Sequence, residues 1–438
     1  MNTEAMKNAV ALAAKQCGAD GYEIEISIEE SAGAEALRSE ISSVTYSKSG
    51  SVRVRCVKDG RSGTAVSELV TAEAAAALVE QACANAAVVD DADEVGLFGG
   101  SESYTKMEEA VSDLPSAEEM KAHTLDLQTR TYAMSDKIVD GTQCFTSGMK
   151  LSSALINSEG LDLSYECALV YHGVAAAVKD GEDAANEYRM VPVDKEDAQV
   201  TVEKAVQTAL SQLGADTVDS GKYDVIMNSD AMSSLLGTYS EVFSARSAYM
   251  KTTLLAGKEG EKVASDILTL VDDPFHPGKF GHCPYDGEGV AVYTKKIIEN
   301  GVLNTLLYNR MYAKLLGRQS TGNASSAKLI EPKGLYIAPG ELSGEALMGK
   351  MGRGLYITGL NGLHAGANTQ SGDFSLQAEG YLVEDGKKVR PVKNFTIADN
   401  FFALLRKAEA VSDQVEFRTG SSFGAPEVLF ADISVSGR

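Results

Sequence analysis

This 438-residue sequence has few histidines, a deficit of basic residues against acidic ones, and no clustered cysteines. Forty Lys and Arg stand against 62 Asp and Glu, a formal charge of −22, and no basic block offsets the excess. Direct contact with a nucleic-acid backbone requires clustered cations, so no nucleic-acid partner is expected; the charge serves solubility. No run approaches the roughly 18 uncharged apolar residues of a membrane helix, so no membrane partner is expected either. The first twenty residues set Lys7 and polar groups among their apolar positions and read as an amphipathic helix, not a secretory signal. Cysteines 17, 56, 83, 144, 167 and 283 stand singly, with no Cys-x-x-Cys pair. That pattern points to reduced thiols and a cytoplasmic location, not to a disulfide framework or a zinc finger. There is no histidine between His172 and His276 and no cysteine after Cys283. Gly-x-Ser-x-Gly is missing, and the Ser-x-x-Lys at Ser103, Ser147 and Ser325 has no companion motif of a serine acyl enzyme.

What is present predicts an α+β protein of two main domains, since the chain is too long for one core. Residues 1–215 read as an N-terminal α+β domain with an antiparallel sheet, with a possible sub-boundary in the acidic stretch 90–112. Within it, a helix over 2–17 precedes strands at 22–30, 36–46, 51–57 and 61–66, the last two joined at Asp59-Gly60. Thr71 caps an Ala-rich helix, and Ser116 with Glu119 forms a capping box for the next. A meander over 137–178 and a helix capped by Asp194 and ending at Gly214 complete the half. Residues 222–438 read as a β-rich C-terminal domain. There a strand at 223–227 leads into a helix over 230–246, capped by Asn228 or Ser229, with Met232, Leu235, Leu236, Tyr239 and Phe243 on one face. Strands over 265–272, 289–299 and 302–307, turning at Asn300-Gly301, precede a helix over 310–316 ended by Gly317. A strand at 355–358, a glycine-rich loop, a strand over 374–383, the Asp385-Gly386 turn and a strand over 389–397 follow. Asp399 or Thr396 is expected to cap a helix carrying Phe401, Phe402, Leu404 and Leu405.

Three places offer chemistry. Gly359, Gly362, Gly366 and Gly372, with Asp373 and Phe374, outline a stretch where backbone must approach something closely. An extended peptide pairing along a strand edge is one occupant; a partner chain packing on a specially shaped loop is the other. The order strand–GxGxxG–helix is missing, which excludes a dinucleotide site. His276, His282 and Cys283 form His-x5-His-Cys in a Pro/Gly-rich loop and are candidate ligands for a soft metal if a fourth group joins them; solvated or backbone-bonded histidines are the alternative. Asp286 and Glu288 pair two carboxylates beside a turn. His123, His172 and His364 have no partner in sequence.

Thr369-Gln-Ser-Gly-Asp-Phe-Ser375, Glu379-Gly-Tyr381, Asp385-Gly386, Arg390-Pro-Val392 and Phe395-Thr-Ile-Ala-Asp-Asn400, in that order, resemble the C-terminal signature of the TldD/PmbA family, on its PmbA (TldE) branch. The likeness runs over nearly the whole chain. It implies a peptidase-related protein linked to processing of unfolded peptides and to the label "modulator of DNA gyrase". In the catalytic branch the helix equivalent to 230–246 carries His-Glu-x-x-x-His, with a C-terminal Cys as third zinc ligand. This chain has neither, so the resemblance implies no catalytic residue here and no bound cofactor. Zinc would then belong to a TldD-like catalytic partner in a heterodimer. A homodimeric, non-proteolytic binding or scaffold protein is the second reading, and a peptidase using His276, His282 and Cys283 the third.

Overall fold

A computed structural model describes residues 3–107 except 91 and 94, and 113–438 except 327. The sub-boundary expected at 90–112 thus lies partly outside the described residues. The chain divides into two compact units. One comprises 1–128, 144–172 and 283–292; the other comprises 129–143, 173–282 and 293–438. Helix and strand mix throughout in an α+β fold, as the sequence predicts.

In the first unit, α1 (Thr3–Cys17) is followed by β1 (Gly21–Leu37), β2 (Glu40–Lys58), β3 (Arg61–Ser67) and α2 (Ala72–Val88). Next come α3 (Ala117–Ala133), β4 (Gln143–Asn157) and β5 (Asp162–Asp180), of which residues 129–133, 143 and 173–180 belong to the second unit; the strand order is β3-β2-β1-β4-β5. Ile24, Ile26, Val52, Val54 and Cys56 bury one sheet face against Val10, Leu78 and Val79 of α1 and α2. Thr71 caps α2, and Ser116 and Glu119 exchange main-chain hydrogen bonds as a capping box. The expected strands at 36–46 and 51–57 are one strand. β1 turns into β2 through Arg38 and Ser39, both at positive φ, so Leu37 pairs with Glu40. Two consecutive left-handed residues match the twist of a hairpin, but neither is the Gly or Asn that would announce it.

Within the second unit, residues 173–180 of β5 are followed by β6 (Asp183–Pro192), next to β5 in the sheet order, and by α4 (Ala198–Ser211). The 137–178 meander is therefore corrected: β4 and β5 are long, β5 runs unbroken through His172-Gly173, and β6 is an added strand. Asp197, not Asp194, caps α4 by accepting from Gln199 N–H. Then follow β7 (Gly221–Met227), α5 (Ser229–Tyr239), a 3-10 turn over Ser240–Phe243 and α6 (Ala245–Tyr249). The single helix expected over 230–246 is broken at Ser244, whose backbone is extended and whose hydroxyl caps α6 at Arg246 N–H.

Short strands β8 (Leu270–Asp272), β9 (Lys295–Glu299) and β10 (Val302–Leu303) replace the longer ones expected there. They precede α7 (Arg310–Leu316), β11 (Leu335–Ile337) and α8 (Gly344–Met351). The chain continues through β12 (Gly354–Asn361), α9 (Leu363–Gly366), β13 (Asp373–Glu384), β14 (Lys387–Asn400) and α10 (Phe401–Leu404). It ends with β15 (Ala408–Val411), β16 (Glu416–Phe417), β17 (Phe423–Ala425) and β18 (Val428–Ser436). Asn400 caps α10, in place of Asp399 or Thr396.

Six strands run in the order β14-β13-β12-β7-β18-β15, and β14 also pairs with β18 through Ile397–Val435. The ring β7-β12-β13-β14-β18 is thereby closed, which removes free edges along its paired stretches. A second sheet runs β10-β9-β8-β11-β17-β16. One core joins the barrel strands, the second sheet and α5, with Met232, Leu235, Leu236, Tyr239 and Phe243 all buried. Asp272, fully buried in β8, accepts from Lys295 Nζ, Asn323 Nδ2 and the N–H groups of Lys333 and Gly334. A buried carboxylate with four donors is a satisfied structural group, not a reactive one.

Candidate functional site

The segment between β12 and β13 is built by its own hydrogen bonds. Gly359 is a strand residue at a bulge of β12, and a Cβ there would lie 2.6 Å from Glu379 Oε1. Gly362, at φ 79°, starts the one-turn α9. At Gly366 a Cβ would stand 2.3 Å from the Ser375 carbonyl, so this turn lies directly on β13. Ala367 bridges Phe374, and Asn368 N–H donates to the Asp373 carbonyl at 2.8 Å. The β13 edge at Phe374–Ser375 is thus occupied by the chain's own turn.

Gly372 adopts φ 87°, and a Cβ there would meet the Phe402 ring at 2.6 Å and Asn400 Nδ2 at 2.9 Å. Asn400 Nδ2 donates to Ser371 O and to Asp373 Oδ1; the second bond, with the Ser371 side chain, holds the Asp373 carboxyl below the usual carboxylate range. Phe374 is buried. Tyr239 of α5 stacks on Phe401 with centroids 4.4 Å apart and donates its hydroxyl to the Asp373 carbonyl at 3.0 Å. Burial, aided by Asp373, pushes the Tyr239 phenol up to about 12, so it remains a donor. The helix and the loop are therefore one packed body, and the loop presents Thr369 and Gln370 at its tip.

Depressions lie on both sides of that tip. One of about 640 Å³ is lined by Ala365–Gln370 and Asp373–Ser375. The other, about 240 Å³, is lined by Thr369, Gln370 and the Glu241–Thr252 region, where Arg246 Nη1 donates to Glu241 at 3.0 Å. These volumes suit a small ligand or a few residues of extended chain.

The outer face of α5 carries Asp230, Ser234 and Gly237. Arg418 donates to Ser234 Oγ at 2.9 Å and lies 3.5 Å from Asp230. A Cβ at Gly237 would lie 3.1 Å from the Phe423 ring, so any side chain there requires that ring to give way. Beside this face sits Glu187 of β6, pushed up to about 7 by burial and then by Asp230 and Glu379, against Arg189. Neither Glu187 nor Arg418 is signalled in the sequence, because only the packing of β6 and the β16–β17 loop on α5 unites them.

The residues on this face do not fit zinc, which needs several N, S or O donors converging on one point. Among the described residues no group of three His, Cys, Asp or Glu side chains is arranged to hold a metal. His276 accepts from Gly278 N–H through Nδ1 and packs against the rings of Tyr336 and Phe417. Burial lowers its pKa. His282 donates Nε2 to the His276 carbonyl at 3.0 Å. Cys283 belongs to the first unit, packed near Leu155, Leu161 and Tyr285. Asp286 accepts from the N–H groups of Glu288 and Val290, closing its turn. His123 and His172 stack with Nε2 and Nδ1 2.9 Å apart, and His364 is exposed on α9.

Glu187 carries a pH prediction. Its folded pKa of about 7 exceeds the ordinary 4.5, so the folded protein binds this proton more tightly than the unfolded chain. Stability from this group is complete below about 4.5 and is lost as pH rises through about 7. Replacing Glu187 by Gln is expected to flatten that segment of the melting-temperature profile against pH. Parallel profiles for the two proteins would contradict the assignment.

The barrel, the α5 core and the loop at its tip form an α+β protein without an assembled metal-ligand set among its described residues. Comparison with known proteins supplies the class. Profiles of the PmbA/TldA metallopeptidase match over three domains: domain 1 at residues 22–86, the central domain at 105–213 and the C-terminal domain at 220–437. The chain belongs to the PmbA/TldD family. It is 25% identical over 457 residues to the metalloprotease PmbA homolog of Haemophilus influenzae, covering 99% of this chain and 96% of that one. A Methanothermobacter thermautotrophicus metalloprotease is 29% identical over 354 residues, 74% of this chain and 75% of its own. The crystal structure of TldE from Thermococcus kodakarensis superposes with a TM-score of 0.90 at 25% identity, covering 99% of this chain and all of that one. A Thermotoga maritima protein described as a candidate modulator of a DNA gyrase gives 0.90 at 29% identity over the full length of both.

Proposed function

We propose that this chain is the non-catalytic, TldE-type subunit of a cytoplasmic two-subunit metallopeptidase that processes unfolded peptides. The observation that carries the reading is α5: its buried core and its tie to the loop are intact, while its outer face offers Asp230, Ser234 and Gly237, held by Arg418 and Phe423. A TldD-like partner supplies zinc, its ligands and the general base. This chain contributes the depressions beside Thr369 and Gln370 as part of the peptide path. Relatives named metalloprotease favour this reading. The neighbour described in terms of DNA gyrase favours a second one, a homodimeric binding protein with no part in proteolysis.

Co-expression with a TldD-like chain bearing His-Glu-x-x-x-His separates the two. The expected result is co-elution of both chains and chelator-sensitive hydrolysis of unfolded peptides by the pair, with neither zinc nor hydrolysis in the purified single chain. A single chain that hydrolyses peptide in a chelator-sensitive way, or a pair that never associates, would overturn it.

A further inference from the structure

Three of the six cysteines, distant in sequence, converge in the first unit. Cys17 ends α1, Cys56 lies on β2 and Cys83 lies on α2. The two helices pack together over the sheet. Gly63 of β3 sets how closely α2 approaches: a Cβ there would stand 2.2 Å from Ala82 O and from Ala86 N. This contact brings α2 onto the sheet beside Cys83. Cys56 and Cys83 lie in one buried cluster, and Cys17 packs against it. None of the three is in a disulfide.

Their surroundings differ. Cys56 is fully buried, its thiol directed at the Val79 carbonyl at 3.9 Å, and burial pushes it up to about 12. Cys83 is 6% exposed and Cys17 is half-buried. Lys58 donates Nζ to the Cys17 carbonyl at 2.7 Å, and its charge favours a Cys83 thiolate against the larger opposing effect of burial.

We propose that Cys17 and Cys83 are a thiol-oxidation site, with Cys17 receiving the oxidant and Cys83 resolving it. The oxidant is a small disulfide of the oxidised-glutathione class. Cys17 thiolate attacks one of its sulfurs, the small S–S bond breaks, and one small thiolate leaves and takes up a proton. Cys83, having given its proton to solvent, attacks the Cys17 sulfur and expels the second small thiol. Two protein thiols become one disulfide while one small disulfide becomes two thiols. Attack needs a thiolate and an accessible sulfur, and Cys17 alone of the three has access. The product ties the end of α1 to α2 and constrains the unfolded chain between residues 17 and 83. Disulfides of cytosolic proteins are typically of this transient, redox-responsive kind.

The test uses the full-length chain. It is incubated with oxidised glutathione under conditions that keep it folded, alkylated after denaturation, digested and mapped by mass spectrometry. The expected product is a peptide pair joined through Cys17 and Cys83, two hydrogens lighter than the separate thiols and abolished by reductant. It should raise the melting temperature. Cys17→Ser and Cys83→Ser should lose the link, and Cys56→Ala should keep it. The wild-type map stands alone if a variant fails to fold. A persistent glutathione adduct on Cys17, a Cys56–Cys83 link, or no reaction in the folded protein would overturn the proposal.

Discussion

Leu236→Ala is expected to destabilise the second unit by about 2–5 kcal/mol, as a large-to-small change in a core that cannot fully collapse. Leu236 is fully buried and lies beside Leu235 on the α5 face that also buries Met232 and Tyr239. The Tyr239–Phe401 stack and the Tyr239–Asp373 hydrogen bond anchor the end of that helix, which limits relaxation into the vacated space. Denaturant unfolding of wild type and variant measures the effect. A loss below about 0.5 kcal/mol, the range of ordinary surface changes, would contradict this burial.

Gly372→Val is expected to be as damaging locally and decisive for function. The position needs φ 87°, which costs a β-branched residue roughly 1–2 kcal/mol. The added carbons would also meet Phe402 at 2.6 Å, and overpacking of that kind typically costs about 1–3 kcal/mol. The tip carrying Thr369 and Gln370 should lose its shape, and peptide hydrolysis by the two-subunit complex should fall to background while the chains still co-elute. Asp373→Ala should do less. It removes the carboxylate held by Asn400, but the main-chain carbonyl that binds Tyr239 remains. Normal hydrolysis by Gly372→Val would place the peptide path elsewhere; lost co-elution would make the loop a subunit interface.

Local chemistry explains which features could be read from sequence. Asp59-Gly60, Asn300-Gly301 and Asp385-Gly386 each supply two residues at positive φ, so their hairpins are visible without any structure. Thr71, Ser116 and Asn228 cap their helices through their own side chains. The Arg38-Ser39 turn has the same backbone without the residues that advertise it, so the strand expected over 36–46 was drawn across it. The break at Ser244 was hidden because the apolar spacing continues from Tyr239 to Phe243 across a 3-10 turn.

Contacts over long sequence separations were beyond reach. Barrel closure depends on Ile397 meeting Val435, and the outer face of α5 depends on Glu187 and Arg418 arriving from other elements. For the glycine loop, the need for close approach was legible at Gly366 and Gly372. What they approach, Ser375 and Phe402, was not. The pair His276 and His282 looked like ligands because spacing says nothing of where ring nitrogens point. In the fold they bind a main-chain N–H and a main-chain carbonyl.

The most direct measurement places the chemistry on one subunit or the other. Two complexes are compared for bound zinc and peptide hydrolysis after co-elution is verified. In one, this chain carries His276→Gln, His282→Gln and Cys283→Ser together; in the other, the TldD-like partner loses the histidines of its His-Glu-x-x-x-His motif. The first complex should keep its zinc and its hydrolysis, and the second should lose both. Zinc and hydrolysis lost from the first and kept in the second would put the metal on this chain and contradict its assignment as the non-catalytic subunit.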